Sequence, residues 1–214
     1  MLNEKLHFYI ESLIPERNPL FTEMEGYAKE HNIPIMELAG IETMLQLLRI
    51  QQSKKILEVG TAIGYSGLRM VNALPNANVV TIERDLERVQ VAEEFINRSN
   101  KGEQILIIKG DALELEVQVS QHAPFDAIFI DAAKGQYKKF FEIYSKYLND
   151  DGMIITDNVL FKGLVCETEI ESKRTRNLVK KINEFNQWLM NNPDYFTVIL
   201  PVGDGVAISK RRGE

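Results

Sequence analysis

Apolar residues recur at three- and four-residue spacing in the first part of the chain. Leu38, Ile41, Leu45 and Leu48 follow this spacing, and Pro34 interrupts an earlier stretch of the same kind. Such spacing places apolar side chains on one face of a helix. The pattern therefore predicts an N-terminal helical cap over residues 1–50.

From residue 51 onward, short runs rich in Ile and Val alternate with longer amphipathic stretches. Continuous apolar runs are typical of parallel strands that are covered on both faces, and the last two runs flank a Pro-Val-Gly-Asp-Gly turn that predicts an antiparallel hairpin. We therefore predict an α/β fold with a seven-stranded sheet over residues 51–214, in a single domain with the cap. The runs are KILEVG (55–60), ANVVTIE (77–83), QILIIKG (104–110), FDAIFID (125–131), GMIITD (152–157) and the two within YFTVILPVGDGVAISK (195–210).

Composition narrows the class of protein. The 214 residues are 44% hydrophobic and 26% charged, which excludes a disordered or collagen-like chain. The net charge of −6 means that nucleic-acid binding would need a local basic patch. A single cysteine, Cys166, excludes an internal disulfide, and the chain has neither a signal-peptide pattern nor a long uninterrupted apolar stretch. We therefore expect a cytoplasmic protein that does not span a membrane.

A glycine-containing loop follows the first predicted strand, and a glutamate ends the second. Gly60 and Gly64 would let the backbone approach a ligand, and Glu83 could accept hydrogen bonds from both hydroxyls of a ribose. A nicotinamide dinucleotide fits less well, because Ala62 stands where its fingerprint has glycine and Glu58 would lie beside the pyrophosphate. A cationic, phosphate-free ligand such as S-adenosylmethionine fits better. An ordinary strand-to-helix turn is the alternative.

Oxygen-bearing side chains end the fourth and fifth predicted strands, as Asp131 and as the pair Asp157-Asn158. The carboxyl ends of parallel strands meet at one edge of a sheet, so we expect these groups to converge. Two carboxylates and an amide without histidine or cysteine favour Mg²⁺ or a similar divalent ion over zinc. The alternative is that these residues cap the following helices.

Three long segments together resemble the cation-dependent O-methyltransferases of the catechol and caffeoyl-coenzyme A type. They are PIMELAGIETMLQLL (34–48), LEVGTAIGYSGL (57–68) and IFIDAAKGQYKKFFEIYSKYLNDDGMIITDNVLFKG (128–163). The resemblance runs from Pro34 to the end of the chain. It implies the Rossmann-like, seven-stranded class I fold of methyltransferases that use S-adenosylmethionine, and Mg²⁺ or Mn²⁺ as a second cofactor.

The resemblance also implies roles for individual residues. Asp131, Asp157 and Asn158 would bind the metal, and Lys134 would act as the general base, with a merely solvated lysine as the alternative. Asp131 would also take part in catalysis by contacting both the metal and the cofactor. The implied cofactor-binding residues are Met36, Glu58, Gly60, Tyr65, Ser66, Glu83, Gly110, Asp111, Ala112 and Asp131.

The acceptor must offer two oxygens on neighbouring atoms, because such a pair closes a five-membered chelate on the metal. Catechols and 5-hydroxyuridine both satisfy this requirement. Within the family, the chain is similar to bacterial enzymes that convert 5-hydroxyuridine to 5-methoxyuridine at the wobble position of transfer RNA. We therefore predict a tRNA anticodon loop as the partner, with a small catechol or caffeoyl-CoA acceptor as the alternative. A non-catalytic regulator is disfavoured by the complete metal set.

A basic segment without acidic residues, SKRTRNLVKK (172–181), supports an RNA partner. Residues 173, 176 and 180 follow helical spacing and would present one basic face to phosphates, although a solvated helix surface is the alternative. Phe161 and Tyr137 are candidates for stacking on a splayed-out base, with a place in the apolar core as the alternative for both. The basic residues are Lys173, Arg174, Arg176, Lys180 and Lys181, with Lys210, Arg211 and Arg212 near the C-terminus.

Members of the resembled family are commonly dimers, which suggests a homodimer here. The apolar residues of the N-terminal helices are the candidates for its interface. They are Leu6, Tyr9, Ile10 and Leu13.

Overall fold

The computed structural model describes residues 4–213, so residues 1–3 of the predicted cap and residue 214 lie outside the described residues. The cap consists of three helices, as the apolar spacing predicts. Asn18 begins the second helix by accepting a hydrogen bond from the backbone N–H of Leu20 (3.0 Å), and Pro19 occupies the first helical position, where its missing N–H costs nothing. The helices are α1 (Glu4–Ser12), α2 (Pro19–Glu30) and α3 (Leu38–Gln51).

After the cap, strands and helices alternate, and every predicted strand is present. The fifth strand begins at Leu148, four residues before the predicted run GMIITD (152–157). The strands are β1 (Lys55–Val59), β2 (Asn78–Glu83), β3 (Ile105–Lys109), β4 (Phe125–Ile130), β5 (Leu148–Thr156), β6 (Tyr195–Leu200) and β7 (Val206–Arg211). The helices between them are α4 (Tyr65–Ala73), α5 (Leu86–Arg98), α6 (Glu116–Ser120), α7 (Tyr137–Tyr144) and α8 (Lys173–Met190).

The seven strands form one sheet in the order β3-β2-β1-β4-β5-β7-β6. The first five strands pair in parallel, and β7 runs antiparallel to both β5 and β6. The predicted seven-stranded α/β sheet with a closing antiparallel hairpin is therefore confirmed.

Apolar side chains pack on both faces of the sheet, which explains the continuous apolar runs. One cluster joins the cap to the sheet, with Met24 and Leu45 in the same core as Ile56 and Phe129. The other lies beneath α7 and α8. Because cap and sheet share one core, the cap is an integral layer of the fold.

The helix α1 leaves an apolar face exposed. Leu6 and Tyr9 are 42% and 60% exposed, Ile10 is also exposed, and Leu13, directly after the helix, is 63% exposed. Such a face is available to a second copy of the chain, and the homodimer stays a prediction.

Among the described residues, no helix has the length and apolar character that a bilayer crossing requires.

Candidate active site

The register of the sheet aligns four strand ends. Val59 pairs with both Ile82 and Ile130, and Ile130 pairs with Thr156. The residues that follow these positions, Gly60, Glu83, Asp131 and Asp157, therefore emerge side by side at one edge of the sheet.

A cavity of about 740 Å³ opens at this edge, which is large enough for a nucleoside-sized ligand. The linker between α2 and α3 and the turn between β6 and β7 complete its wall. All but one of the predicted metal, catalytic and cofactor residues lie on that wall: Met36, Gly60, Tyr65, Ser66, Glu83, Gly110, Asp111, Ala112, Asp131, Lys134, Asp157 and Asn158.

The loop after β1 lies directly against the backbone of the β4 end. Gly60 has φ of 110°, and a Cβ at this position would lie 2.0 Å from the backbone oxygen of Asp131. No side chain fits there, so glycine is required for the close approach of the two segments. The loop is also tied to β2, since the N–H groups of Gly60 and Thr61 both donate to the Ile82 carbonyl at 3.1 Å.

Glu83 is held in one orientation by backbone donors. Its Oε2 accepts from the N–H of Ala62 at 2.9 Å, and its Oε1 accepts from those of Arg84 (2.9 Å) and Asp85 (3.0 Å). The two backbone donors fill the usual acceptor sites of Oε1, whereas Oε2 keeps one for a further donor. The side chain is thus a preorganised acceptor on the cavity wall, as a ribose site requires.

Glu58 is the predicted cofactor residue that does not line the cavity. Its side chain is fully buried, and it accepts hydrogen bonds from the hydroxyls of Ser66 and Thr81 (2.6 Å to the latter). Burial raises the pKa of Glu58 to about 7, although both hydroxyls oppose the shift. Ser66 connects Glu58 to the cavity, because its hydroxyl lines the site and donates a hydrogen bond to the Glu58 carboxylate.

Tyr65 lines the cavity, but its hydroxyl is directed into the cap. It donates to Glu25 (2.6 Å) and accepts from the buried guanidinium of Arg69 (2.6 Å), while Arg17 pairs with the same glutamate at 2.7 Å. Burial raises the pKa of the Tyr65 phenol. This network fixes the start of α4 to the cap.

The predicted adenine side of the cavity is shaped by the turn after β3. Asp111 accepts from the N–H of Leu113 at 2.9 Å, and the Ala112 carbonyl accepts from the buried Tyr144 hydroxyl at 2.5 Å. On the cap side, Met36 is 4% exposed and packs against Gly40.

The predicted metal ligands converge. The Nδ2 of Asn158 donates to Asp157 at 3.1 Å, and its Oδ1 accepts from the Lys134 ammonium. Burial raises the pKa of Asp157 well above its usual range, and the charge of Asp131 raises it further. Burial also raises the pKa of Asp131, which the charge of Lys134 opposes.

This donor set fits a divalent ion that prefers oxygen. The charges of Asp131 and of the buried Asp157 repel each other, and a hard cation held between the two carboxylates would offset that repulsion. Within residues 4–213, no three His, Cys, Asp or Glu side chains are arranged to hold a metal. The predicted set differs from such a group because its third member, Asn158, is an amide.

The sequence analysis missed two acidic residues on the cavity wall, Asp204 and Glu37. The charge of Asp204 raises the pKa values of Asp131 and Asp157. Burial, and then the charge of Asp204, raises the pKa of Glu37. The Pro-Val-Gly-Asp-Gly turn was the available signal for Asp204, because a turn next to a strand end can face the same edge.

The turn that contains Asp204 also supports the loop after β5. The Asp204 carbonyl accepts from the N–H groups of Leu160 (2.9 Å) and Phe161 (3.2 Å), and the Gly205 carbonyl accepts from Val159 (3.1 Å). Phe161 lines the cavity with its ring centroid 5.8 Å from the Lys134 ammonium nitrogen.

Tyr137 was wrongly predicted as a stacking residue. It is 1% exposed, and its ring meets Phe185 edge-on with centroids 5.5 Å apart. The first turn of α7 directs Tyr137 into the core beneath α8, so it offers no surface to a base.

The basic segment is helical, as predicted, and all five of its basic side chains are exposed. Arg176 donates to the carbonyl of Ile170 (2.7 Å), and Lys180 lies 3.8 Å from Glu184. Lys181 lies beside the cavity rim, since its Nζ is 3.5 Å from the position that a Cβ on Gly135 would take.

The C-terminal basic residues are engaged within the chain. Lys210 donates to the Asp151 carbonyl (2.9 Å), Arg211 donates to that of Ser145 (2.9 Å), and Arg212 lies 3.9 Å from the Phe196 ring centroid. They are therefore less available to phosphates than the α8 cluster.

Comparison with known proteins places this geometry among O-methyltransferases. A family model described as O-methyltransferase matches residues 12–212. A catechol O-methyltransferase from Niastella koreensis is 31% identical, with 96% of both chains covered. A Staphylococcus aureus structure, solved as a candidate caffeoyl-CoA O-methyltransferase, is 38% identical with a TM-score of 0.91, covering 96% of this chain and 99% of that one. A Bacillus cereus O-methyltransferase solved in complex with SAH is 25% identical with a TM-score of 0.82, covering 97% of both chains.

Proposed function

This chain belongs to the O-methyltransferase family, and from that premise we propose that it methylates one oxygen of a vicinal oxygen pair, using S-adenosylmethionine and a divalent cation. The observation that carries the proposal is a single cavity that holds both a backbone-anchored glutamate, Glu83, and an oxygen cluster formed by Asp131, Asp157 and Asn158. The first suits a nucleoside and the second suits a hard cation.

The cofactor half of the site follows from its hydrogen bonds. Glu83 would accept a hydrogen bond from the ribose, and Asp111 and Ala112 would flank the adenine. Because the Ser66 hydroxyl donates to Glu58, its lone pairs are left to accept from the ammonium of the methionine part. Met36 would close the site from the cap side.

The acceptor half is built from the oxygen cluster and Lys134. A divalent ion held by Asp131, Asp157 and Asn158 would lower the pKa of the acceptor hydroxyl and fix both of its oxygens. Lys134, at the same cluster, would act as the base: once its ammonium has given up a proton, the neutral amine would receive the hydroxyl proton at Nζ. The acceptor oxygen then forms the new C–O bond as the C–S bond of the sulfonium breaks, and a neutral thioether leaves.

For the acceptor itself, we propose 5-hydroxyuridine at the wobble position of tRNA. The α8 cluster supports this choice, because Lys181 stands at the cavity rim while Lys173 and Arg174 lie exposed at the start of the same helix. These cations could bind the phosphates of an anticodon loop while one base enters the cavity. A catechol is the second candidate, favoured by the 31% identical relative of that name.

Direct methylation assays separate the two acceptors. The purified protein, with S-adenosylmethionine and Mg²⁺, is given either a catechol or tRNA isolated from cells that lack the protein. We expect 5-methoxyuridine to form with the higher kcat/KM. Methylation of the catechol alone would overturn the RNA proposal, and methylation of neither would overturn the proposed chemistry.

Nucleoside analysis of the same cells supplies an independent check. Their tRNA should accumulate 5-hydroxyuridine and lose its methyl ether. Restoring the wild-type chain should reverse this, whereas restoring the Asp157→Asn variant, which removes one carboxylate of the oxygen cluster, should not.

A further inference from the structure

Tyr137 carries a buried hydroxyl without a hydrogen-bond partner among residues 4–213. The side chain is 1% exposed, and the hydroxyl itself is inaccessible to solvent. Buried polar groups are rarely left unpaired because the loss of hydration costs free energy. This hydroxyl is therefore free to donate a hydrogen bond to a group that moves within its reach.

The position of Tyr137 indicates where that partner lies. It begins α7, directly after the turn that carries Lys134. Gln136, the residue before it, and Phe140, one helical turn after it, both line the cavity. The charges of Asp131 and Asp157 add to burial in raising the pKa of the phenol, so the hydroxyl lies within electrostatic range of both carboxylates and stays a proton donor.

The ring of Tyr137 is fixed by its packing. Phe185 on α8 meets it edge-on at an interplanar angle of 62°, and both side chains belong to the core beneath α7. A locked ring presents its hydroxyl at a constant place, which is what an orienting hydrogen bond requires.

We propose that Tyr137 is a positioning residue of the divalent-cation site, whose hydroxyl donates a hydrogen bond to the carboxylate of Asp131 or Asp157 and holds it in its ion-binding orientation. This inference rests on the proposed function. Carboxylates that bind metal ions are themselves held by hydrogen bonds from outer residues, and loss of such a donor weakens metal binding. Small rotations of the aspartates on ion binding would complete the bond.

The Tyr137→Phe variant removes only the hydroxyl. We expect its affinity for Mn²⁺, measured by electron paramagnetic resonance without any acceptor, to fall by about 10- to 100-fold. Its melting temperature without metal and its affinity for S-adenosylmethionine without metal should match those of the wild type, because the deleted hydroxyl has no hydrogen-bond partner among the described residues.

Tyr144 offers a matched control on the same helix. It is equally buried, but its hydroxyl donates to the Ala112 carbonyl at 2.5 Å. Tyr144→Phe should therefore lower the melting temperature and leave Mn²⁺ affinity unchanged.

Two results would overturn the inference. If the wild type binds Mn²⁺ and Tyr137→Phe binds it equally well, Tyr137 has no positioning role while the proposed function stands. If the wild type binds no Mn²⁺, both the cation site and the role of Tyr137 are lost.

Discussion

Lys134 donates a hydrogen bond from its ammonium to the amide oxygen of Asn158. This is the same oxygen that would bind the divalent cation. The proposed base and the proposed cation would therefore compete for one acceptor atom, the Oδ1 of Asn158. As the neutral amine, a Lys134 side chain freed from this bond would be able to accept the proton of the acceptor hydroxyl.

Replacement of Lys134 tests its role as the proton acceptor. Lys134→Met keeps the length of the side chain and removes the basic nitrogen, so we expect kcat to fall by about 10²- to 10⁴-fold while the affinity for S-adenosylmethionine is unchanged. Steady-state kinetics and calorimetry measure the two quantities. Lys138→Met, at an exposed lysine that lies 3.7 Å from Glu142, serves as the control. A kcat within threefold of the wild type would assign the deprotonation to the metal alone.

Replacement of Asp157 tests the oxygen cluster. Asp157→Ala should abolish methyl transfer and leave cofactor affinity largely intact, since Asp157 is not among the predicted cofactor residues. Mg²⁺ at a hundred times its Kd should stabilise the wild type by about 2.7 kcal/mol and the variant by nothing, as measured by thermal unfolding. Asp150→Ala, at a fully exposed position of the same strand, should keep both properties. Normal turnover in Asp157→Ala would remove the metal from the mechanism.

The buried Glu58 predicts a dependence of stability on pH. Its pKa is about 7 in the folded protein, against 4.5 as the ordinary value, so between these pH values the folded state holds a proton that the unfolded state has lost. Stability contributed by this group is therefore complete below pH 4.5 and falls until pH 7, by about 3 kcal/mol in total at about 1.4 kcal/mol per pH unit. Urea unfolding across this range measures the loss.

Glu58→Gln separates this effect from other titrations. The neutral amide should remove the decline in stability. The hydroxyls of Thr61 and Thr81 lie 2.7 Å apart and either can donate to the other, so the Thr81 hydroxyl can turn to accept a hydrogen bond from the amide N–H of the variant. Glu30→Gln, at an exposed position of α2, should leave the wild-type decline in place. Parallel pH profiles for wild type and Glu58→Gln would contradict the assignment.

The exposed cations of α8 predict salt-dependent RNA binding. Lys173, Arg174 and Lys181 have no ion-pair partner within the described chain, so each could bind a phosphate. Replacing all three with alanine should weaken tRNA binding and reduce the slope of log affinity against log salt by about 1 per residue, with catechol turnover unchanged. Lys54→Ala, just before β1 and therefore at the opposite edge of the sheet, is the control. An unchanged slope would mean that the basic side chains of α8 form only a solvated helix surface.

The sequence predicted the strands and the alignment of their ends well. Buried parallel strands need continuous apolar runs, and a register shared by Val59, Ile130 and Thr156 then brings the following polar residues to one edge. Two aspartates about 26 positions apart in the chain could thus be assigned to one site from local patterns and the rule for parallel sheets.

Side-chain directions were harder to predict, because they depend on packing between distant elements. Tyr137 enters the core only because α8 supplies Phe185, and Glu58 is separated from the cavity by Ser66. Asp204 joins the site because β7 inserts between β5 and β6, an order that no local pattern specifies. Arg176 is similarly bound to the carbonyl of its own preceding loop.

The hydrogen bonds from Leu160 and Phe161 to the Asp204 carbonyl attach the loop after β5 to the turn between β6 and β7. A side chain at Gly205 would collide with Leu160, whose Cγ lies 2.4 Å from the position of the added Cβ. The two segments form one interlocking part although some forty positions separate them along the sequence. Enzyme engineers who wish to exchange acceptor preference should transplant both segments together. Either segment grafted alone would lose the hydrogen bonds and the close packing that the other one provides.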